Sequence, residues 1–244
     1  MRTAATTETG AAGLGGRRHP AAILVDQTRT APALGFGDLD VLREHLHPAE
    51  FHCGQEIFAE GDPGDRLYLI YSGRVRVGRR CAGGRDKLVE IAGPSEIVGE
   101  LAVFDPGPRT RTATAMTEVR AGWLDRETLR ALIAERPEVA TALLRVLSRQ
   151  LRRANDQLTD LVITDVSGRV ARQLLRLARR FGTTDGNAVR VLHDLTQEEL
   201  AELAGASRPT LNRTLRDFES RGWIRVASRR VLILDPDALA RWVG

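Results

Sequence analysis

The residues of this chain that could do chemistry fall into two stretches. In the first, Gly99-Glu100-Leu101 is followed by a stiff Pro106-Gly107-Pro108 turn that presents Arg109 and Thr110. Gly99 permits close backbone approach, and the free amides of a turn opening there can hold an anion. An arginine can clamp a phosphate through paired hydrogen bonds while a glutamate accepts a ribose hydroxyl, so a sugar phosphate fits this set. A surface salt bridge accounts for Glu100 and Arg109 equally well. In the second stretch, Thr196 and Glu199 form a T-x-x-E capping box, Gly205 ends the helix it starts, and Ser207 caps another. Two helices separated so briefly must cross steeply. Leu211, Leu215 and Phe218 make a buried stripe on the second helix, leaving Arg208, Pro209, Asn212, Arg213 and Arg216 opposite. Guanidinium and amide groups near a helix N-terminus suit the major groove of DNA. The competing reading is a helical hairpin whose arginines only keep it soluble.

Other chemistries find no support. No Ser/His/Asp, Cys/His or paired-carboxylate arrangement stands out, so the chain is not expected to be an enzyme. Cys53 and Cys81 form no CxxC pair, and His19, His45, His47, His52 and His193 lack metal-ligand spacing. No metal is expected, and the cysteines read as buried, inert thiols. The 244 residues are 42% hydrophobic and 28% charged, the balance of a soluble globular protein. No apolar run reaches membrane-spanning length, and the first residues lack a secretory pattern, so a cytoplasmic protein without a membrane is expected. The net charge of +4 is carried almost wholly by arginine, which permits nucleic-acid binding without arguing for it.

The elements that must position these residues differ along the chain. Residues 1–32 are rich in Ala, Gly, Thr and Arg and read as a disordered tail. A short amphipathic helix is expected from Phe36 to Leu46. From Phe51 to Asp125, short stretches such as Leu67-Tyr68-Leu69-Ile70-Tyr71 and Arg74-Val75-Arg76-Val77 alternate with turn clusters, among them Ala82-Gly83-Gly84. That spacing predicts an antiparallel barrel or sandwich. A helix follows over Arg126–Glu135, and Pro137 opens a longer one. In it Leu144, Leu147, Leu151, Ala154, Leu158 and Leu161 recur at spacings of three and four, a coiled-coil seam, with Arg145, Arg149, Arg152 and Arg153 on the solvated flanks. An ordinary core-facing helix has the same period. After a break at Thr164–Ser167, a further helix is predicted from Gly168 to about Phe181, with Gly182 able to cap it. Minor strands are predicted at Val189–Leu192 and within Trp223–Leu234. The organisation is therefore an α+β chain: tail 1–32, sensor domain 33–136, dimerisation helix 137–163 and DNA-binding domain 164–244.

The run from Asp194 through Leu195-Thr196-Gln197-Glu198-Glu199 to Arg208, continuing to Gly222-Trp223-Ile224, resembles the winged helix-turn-helix of the cyclic-AMP receptor protein (CRP/FNR) family. The resemblance spans about Phe36 to Trp242 and is strongest to actinobacterial members, through Phe104-Asp105-Pro106-Gly107-Pro108-Arg109-Thr110 and Thr164-Asp165-Val166. It implies a cyclic-nucleotide-binding antiparallel barrel or jelly roll, a long dimerisation helix and a C-terminal winged helix-turn-helix. It implies a homodimer on a palindromic double-stranded DNA operator, acting with RNA polymerase. By the match, Gly99, Glu100, Leu101, Arg109 and Thr110 are the phosphate-binding cassette, Glu100 taking the ribose 2′-hydroxyl and Arg109 with Thr110 the cyclic phosphate. Thr196, Ser207, Arg208, Pro209, Asn212 and Arg213 are the DNA contacts, with Arg208 and Arg213 on the bases.

Two positions depart from the family pattern. Pro209 stands where members reading the familiar palindrome usually carry glutamate, and proline cannot accept from a cytosine amino group. Ala154-Asn155 stands where cyclic-AMP responders place a Thr followed by Ser or Asn against adenine, one from each subunit. Ala154 forgoes a hydrogen bond worth about 0.5–1.5 kcal/mol, while Asn155 keeps a donor and an acceptor. The expected effector is a cyclic nucleotide, cyclic AMP first, with no other cofactor. The alternative is a ligand-independent or differently liganded DNA-binding protein of the same fold with a vestigial pocket.

Overall fold

A computed structural model describes residues 42–81 and 86–243. The tail read at 1–32 and most of the helix read at Phe36–Leu46 lie outside the described residues, as does the turn at 82–84. Leu42, in the last turn of that helix, is buried.

Eight strands build the sensor: β1 (His47–Phe51), β2 (Glu56–Phe58), β3 (Arg66–Ser72), β4 (Val75–Arg80), β5 (Asp86–Ala92), β6 (Ile97–Val98), β7 (Thr112–Ala115) and β8 (Val119–Asp125). They form two four-stranded antiparallel sheets, ordered β1-β8-β3-β6 and β2-β7-β4-β5. A short helix, α1 (Leu101–Phe104), links β6 to the turn before β7. Side chains alternate faces along a strand, and β3 shows what that does here. Tyr68 and Ile70 join Val75, Val98, Ala113 and Val119 in the core between the sheets. Leu67 and Leu69 point the other way, into a second core with Leu129, Leu132, Val139, Leu143 and Val146. The strand is apolar on both faces because helices cover the outside of its sheet.

Those helices are α2 (Arg126–Glu135) and α3 (Pro137–Ile163). Asp125 caps α2 by accepting from Thr128 N at 2.8 Å, and Pro137 occupies the first turn of α3, where its missing N–H costs nothing. The first turns of α3 bury Val139, Ala142, Leu143 and Val146. Beyond them the helix leaves the barrel, and Leu144, Leu151, Leu158 and Leu161 are more than half exposed. These four seam residues, with Ala154, are thus on the surface of the single chain, so the core-facing alternative does not hold for them, while Leu147 is half-buried. Arg149 is half-buried and lines a cleft against the barrel, while Arg153 stays exposed on the flank and still pairs with the buried Glu96 at 2.7 Å.

The remaining chain is α4 (Val166–Phe181), β9 (Gly182–Asp185), β10 (Ala188–Leu192), α5 (Gln197–Leu203), α6 (Arg208–Ser220), β11 (Ile224–Ala227), β12 (Arg230–Ile233) and α7 (Pro236–Val243). Its four strands form one antiparallel sheet, β11-β12-β10-β9. Two details differ from expectation. The break before α4 is shorter than Thr164–Ser167: Asp165 caps the helix by accepting from Gly168 N at 2.7 Å, so Gly168 lies in its first turn. Gly182 does not cap through a left-handed conformation, since its φ is −77°. It is needed for space, because a Cβ there would lie 2.3 Å from Ala178 O.

Leu174, Leu177, Leu211, Leu215, Phe218, Ile224 and Ile233 pack this domain's core. Phe218 is fully buried, with the Trp223 ring at 5.5 Å and that of Trp242 at 6.4 Å. Phe218→Ala is expected to cost about 3–5 kcal/mol through the cavity it leaves. Urea denaturation followed by tryptophan fluorescence checks this. A loss below about 1 kcal/mol would show that the three rings do not hold the domain.

Candidate functional site

The cavity expected at Gly99–Thr110 is present. It is lined by Gly99, Glu100, Leu101, Arg109 and Thr110, all five of the residues assigned to it from the sensor. The chain reverses between β6 and α1 at Gly99, whose φ of +82° suits glycine. A Cβ there would also lie 2.6 Å from Arg109 Nη1, so glycine is what lets the arginine in. Arg109 is 4% exposed. It donates from Nη1 to Gly99 O at 2.6 Å and from Nη2 to Arg66 O at 2.7 Å, and lies over the Phe58 ring at 4.3 Å. Its Nε has no hydrogen-bond partner although it is buried. An unpaired donor on a buried cation is costly, and an anion is its natural complement. Glu100 is buried beside it. Burial raises its pKa most, opposed by its own backbone hydrogen bond, with Glu90 raising it further and Arg111 and a Gln150 hydrogen bond lowering it.

Ala154 and Asn155 are not brought to this cavity by the single chain. They are exposed on α3, and Gln150, one turn earlier, closes that wall instead. Three further polar residues therefore belong to the site and carried no motif: Glu90 on β5, Arg111 before β7, and Gln150. The alternation of β5 and the reach of an arginine two residues after Arg109 were the only available signals.

The DNA-reading pair folds as its caps direct. Thr196 Oγ1 accepts from Glu199 N at 3.2 Å and Glu199 Oε2 accepts from Thr196 N at 2.8 Å, a complete capping box on α5. Gly205 turns the chain at φ +59°, and Ser207 Oγ accepts from Thr210 N at 3.3 Å to start α6. Arg208, Pro209, Asn212, Arg213 and Arg216 line one concave surface on the outer side of α6. Thr196 is exposed but spent on its cap, and Ser207 likewise.

The helix pair and the barrel touch. Leu88 and Ile91 of β5 are part of the DNA domain's core. Leu88 N donates to Glu202 Oε2 at 2.9 Å, Arg180 Nη2 to Ile91 O at 2.6 Å, and Arg76 faces Glu199 at 3.6 Å. Arg74 pairs with Asp194 and lies over the Phe181 ring at 5.5 Å. Glu96, 7% exposed, gathers Gly93 N at 2.8 Å, Arg153 of α3 and Arg180 of α4.

Comparison with known proteins matches the same two regions. Residues 48–136 match the cyclic nucleotide-binding domain and residues 168–242 the Crp-like helix-turn-helix domain. Over 200 residues the chain is 59% identical to the CRP-like cAMP-activated global transcriptional regulator of Mycobacterium tuberculosis, covering 82% of this chain and 89% of that protein. The chain belongs to the CRP/FNR family. It is 36% identical over 189 residues to the cyclic AMP receptor protein of Thermus thermophilus, covering 78% of this chain and 84% of that one. A solved CRP/FNR-family transcriptional regulator from the same organism superposes with a TM-score of 0.70 at 26% identity, covering 81% and 98%. This CRP/FNR-family transcriptional regulator thus has a cyclic-nucleotide-binding domain and a DNA-binding helix-turn-helix. Among its described residues no helix is long and apolar enough to cross a membrane, and no group of three or more His, Cys, Asp or Glu could hold a metal.

At the junction of the two domains, burial pushes the pKa of His193 down to about 4, with Asp194 and Glu199 opposing and Arg74 reinforcing. Its Nδ1 accepts from Leu195 N at 3.0 Å, which the neutral ring alone can do. The unfolded chain takes up this proton near pH 6.5, the folded one only near 4. The neutral-histidine contribution is therefore complete above about pH 6.5 and is lost as pH falls toward 4, by about 3 kcal/mol at most. In His193→Asn, whose Oδ1 can stand in for Nδ1, stability measured by urea unfolding from pH 7 to pH 4.5 should fall less steeply. Equal slopes in both proteins would place the titration elsewhere.

Proposed function

We propose that this regulator is a cytoplasmic, non-enzymatic homodimer that binds a cyclic nucleotide, cyclic AMP first, in the barrel and thereby changes its grip on a palindromic DNA operator. The observation that carries it is Arg109, a buried guanidinium with an unpaired Nε in a cavity that also presents Glu100 and a glycine-opened turn. Arg109 and Thr110 would hold the cyclic phosphate and Glu100 the ribose 2′-hydroxyl, with Asn155 reaching a base across the dimer. The names of the Mycobacterium tuberculosis and Thermus thermophilus relatives support cyclic AMP. The bound nucleotide supplies a negative charge at Arg109 and a hydroxyl at Glu100.

The chain's own residues pass the change on. Gln150 closes the cavity from α3, and one turn later Arg153 of the same helix holds Glu96, which also holds Arg180 of α4. A shift of α3 at Gln150 therefore moves the contact that docks the DNA domain. Asp160 of α3, 5% exposed, pairs with Arg172 and with Arg176 at 2.7 Å, so the angle between α3 and α4 is tied to the same helix. Ligand can bias this equilibrium only by binding one arrangement better. Two copies joined along Leu144, Leu151, Leu158 and Leu161 would set two α6 helices about 34 Å apart, one turn of DNA. Arg208 and Arg213 would read bases, with Thr196, Ser207, Pro209 and Asn212 beside them, and RNA polymerase would be the partner of the DNA-bound dimer.

One observation favours a second reading, ligand-independent DNA binding. Two donors of Arg109 are already satisfied by backbone carbonyls, which lessens what a phosphate would add.

Calorimetric titration with cyclic AMP and cyclic GMP should show saturable binding, weakened about 100-fold or more in Arg109→Ala. No binding of either nucleotide would sink the effector and leave the second reading. In the double variant Leu151→Glu with Leu158→Glu, sedimentation should report a monomer. A dimer of unchanged stability would move the interface off α3. Arg213→Ala should weaken operator binding by about tenfold or more, measured by fluorescence anisotropy. An unchanged affinity would remove α6 from the groove.

A further inference from the structure

We propose that Glu90, beside Arg111, accepts the exocyclic amino group of a purine base in the cavity, and so supplies from the barrel the contact that Ala154 cannot make. The inference rests on reading the cavity as a cyclic-nucleotide site.

The placement of Glu90 follows from the register of β5. Val77 pairs with Glu90 and Gly78 with Leu88, so the pair β4–β5 is bulged at Val89. Beyond the bulge the strand alternates. Ile91 packs outward into the DNA domain and Ala92 inward into the barrel core, which puts Glu90 on the inward face with Ala92. An inward-facing strand position in a small barrel ordinarily takes an apolar side chain. A carboxylate there is expensive. Desolvation by the surrounding protein raises its pKa, as does Glu96, with Arg180, Arg111 and Arg153 opposing.

Its partner does not repay that cost. Arg111 Nη1 comes only to 4.0 Å of Glu90 Oε2, too far for a hydrogen bond, and both side chains remain more than a third open. Such a pair contributes little to stability. Arg111 is nonetheless a cation beside both Glu90 and Glu100, favouring the charged form of each, and all three line the cavity.

The cavity's layout says what the Glu90 carboxylate meets. Arg109 and Thr110 lie at the phosphate end, and Ile97 and Val98 offer apolar surface. A second cleft of about 410 Å³ runs along α3, and it shares Glu90, Ile97, Val98 and Gln150 with the first. Glu90 therefore stands at the waist between the phosphate end and α3, where a base extending from the ribose would lie. A carboxylate is purely an acceptor, so it selects an edge carrying N–H groups.

The test compares cyclic AMP with the 3′,5′-cyclic phosphate of purine riboside, which differs only in lacking the 6-amino group. Calorimetry on the full-length wild type should show cyclic AMP bound about tenfold or more tightly, the size of a charge-assisted hydrogen bond. In Glu90→Ala that preference should collapse to about twofold or less, while Glu90→Gln, which keeps an acceptor, should retain part of it. Arg111→Ala leaves the carboxylate in place but removes the cation beside it and should lower the preference too, which guards against a Glu90 variant that fails to fold. A preference absent from the wild type, or unmoved in Glu90→Ala, overturns the assignment. Failure of the wild type to bind any cyclic nucleotide overturns the proposed function itself, a result distinct from binding without amine discrimination.

Discussion

Strand β5 is an edge strand, and an edge strand must have its outward backbone groups satisfied by something. In this regulator the DNA-binding domain does it. Glu202 accepts from Leu88 N, Arg180 donates to Ile91 O, and the apolar side chains of those same two residues sink into the DNA domain's core. The other face of the strand belongs to the sensor, with Glu90 in the cavity and Ala92 in the barrel core. One strand is thus shared by the site that would sense and the domain that reads DNA. Undocking would return two backbone groups and two apolar side chains to water.

Charge adds to this. Glu96 and Asp194 each meet arginines far away in sequence, while Asp160 ties α3 to the helix that follows it. Glu96 and Asp160 are buried, and ion pairs of buried carboxylates are weak sources of net stability, because desolvation consumes most of the Coulombic gain. Removing one partner, however, strands a buried charge, so the pairs punish wrong arrangements. Helix α3 is common to two of them, through Arg153 and Asp160, and it also lends Gln150 to the cavity. Its position is therefore registered against both domains at once.

Much of this was legible because the signals are local. A capping box, a left-handed glycine and a serine cap act within a few residues, so the two helices of the DNA reader could be placed from Thr196, Gly205 and Ser207. Gly99, Glu100, Arg109 and Thr110 lie on either side of one stiff turn, but their types and spacing fit a surface salt bridge as well, and the family resemblance is what singled them out. Other features depended on neighbours that sequence does not name. Gly182 looks like a helix-ending glycine, yet the space beside Ala178 O is what requires it. Arg149 sits at a position that periodicity assigns to solvent, and the barrel placed against that side of α3 half-buries it, while Arg153 stays exposed yet reaches the buried Glu96.

The two classes separate cleanly on physical grounds. The sequence by itself determined the order of elements, the caps and turns and the arginine face of α6, because each depends on spacing within one or two turns of chain. Tertiary structure alone decided that Glu90, Arg111 and Gln150 share the cavity with Gly99, Glu100, Arg109 and Thr110, because a bulge at Val89 chooses the face of β5 and packing chooses the rotation of α3. It also decided that β5 would carry the DNA domain on its outer side. Periodicity shows that a strand has two faces. Only the packed molecule shows what covers each.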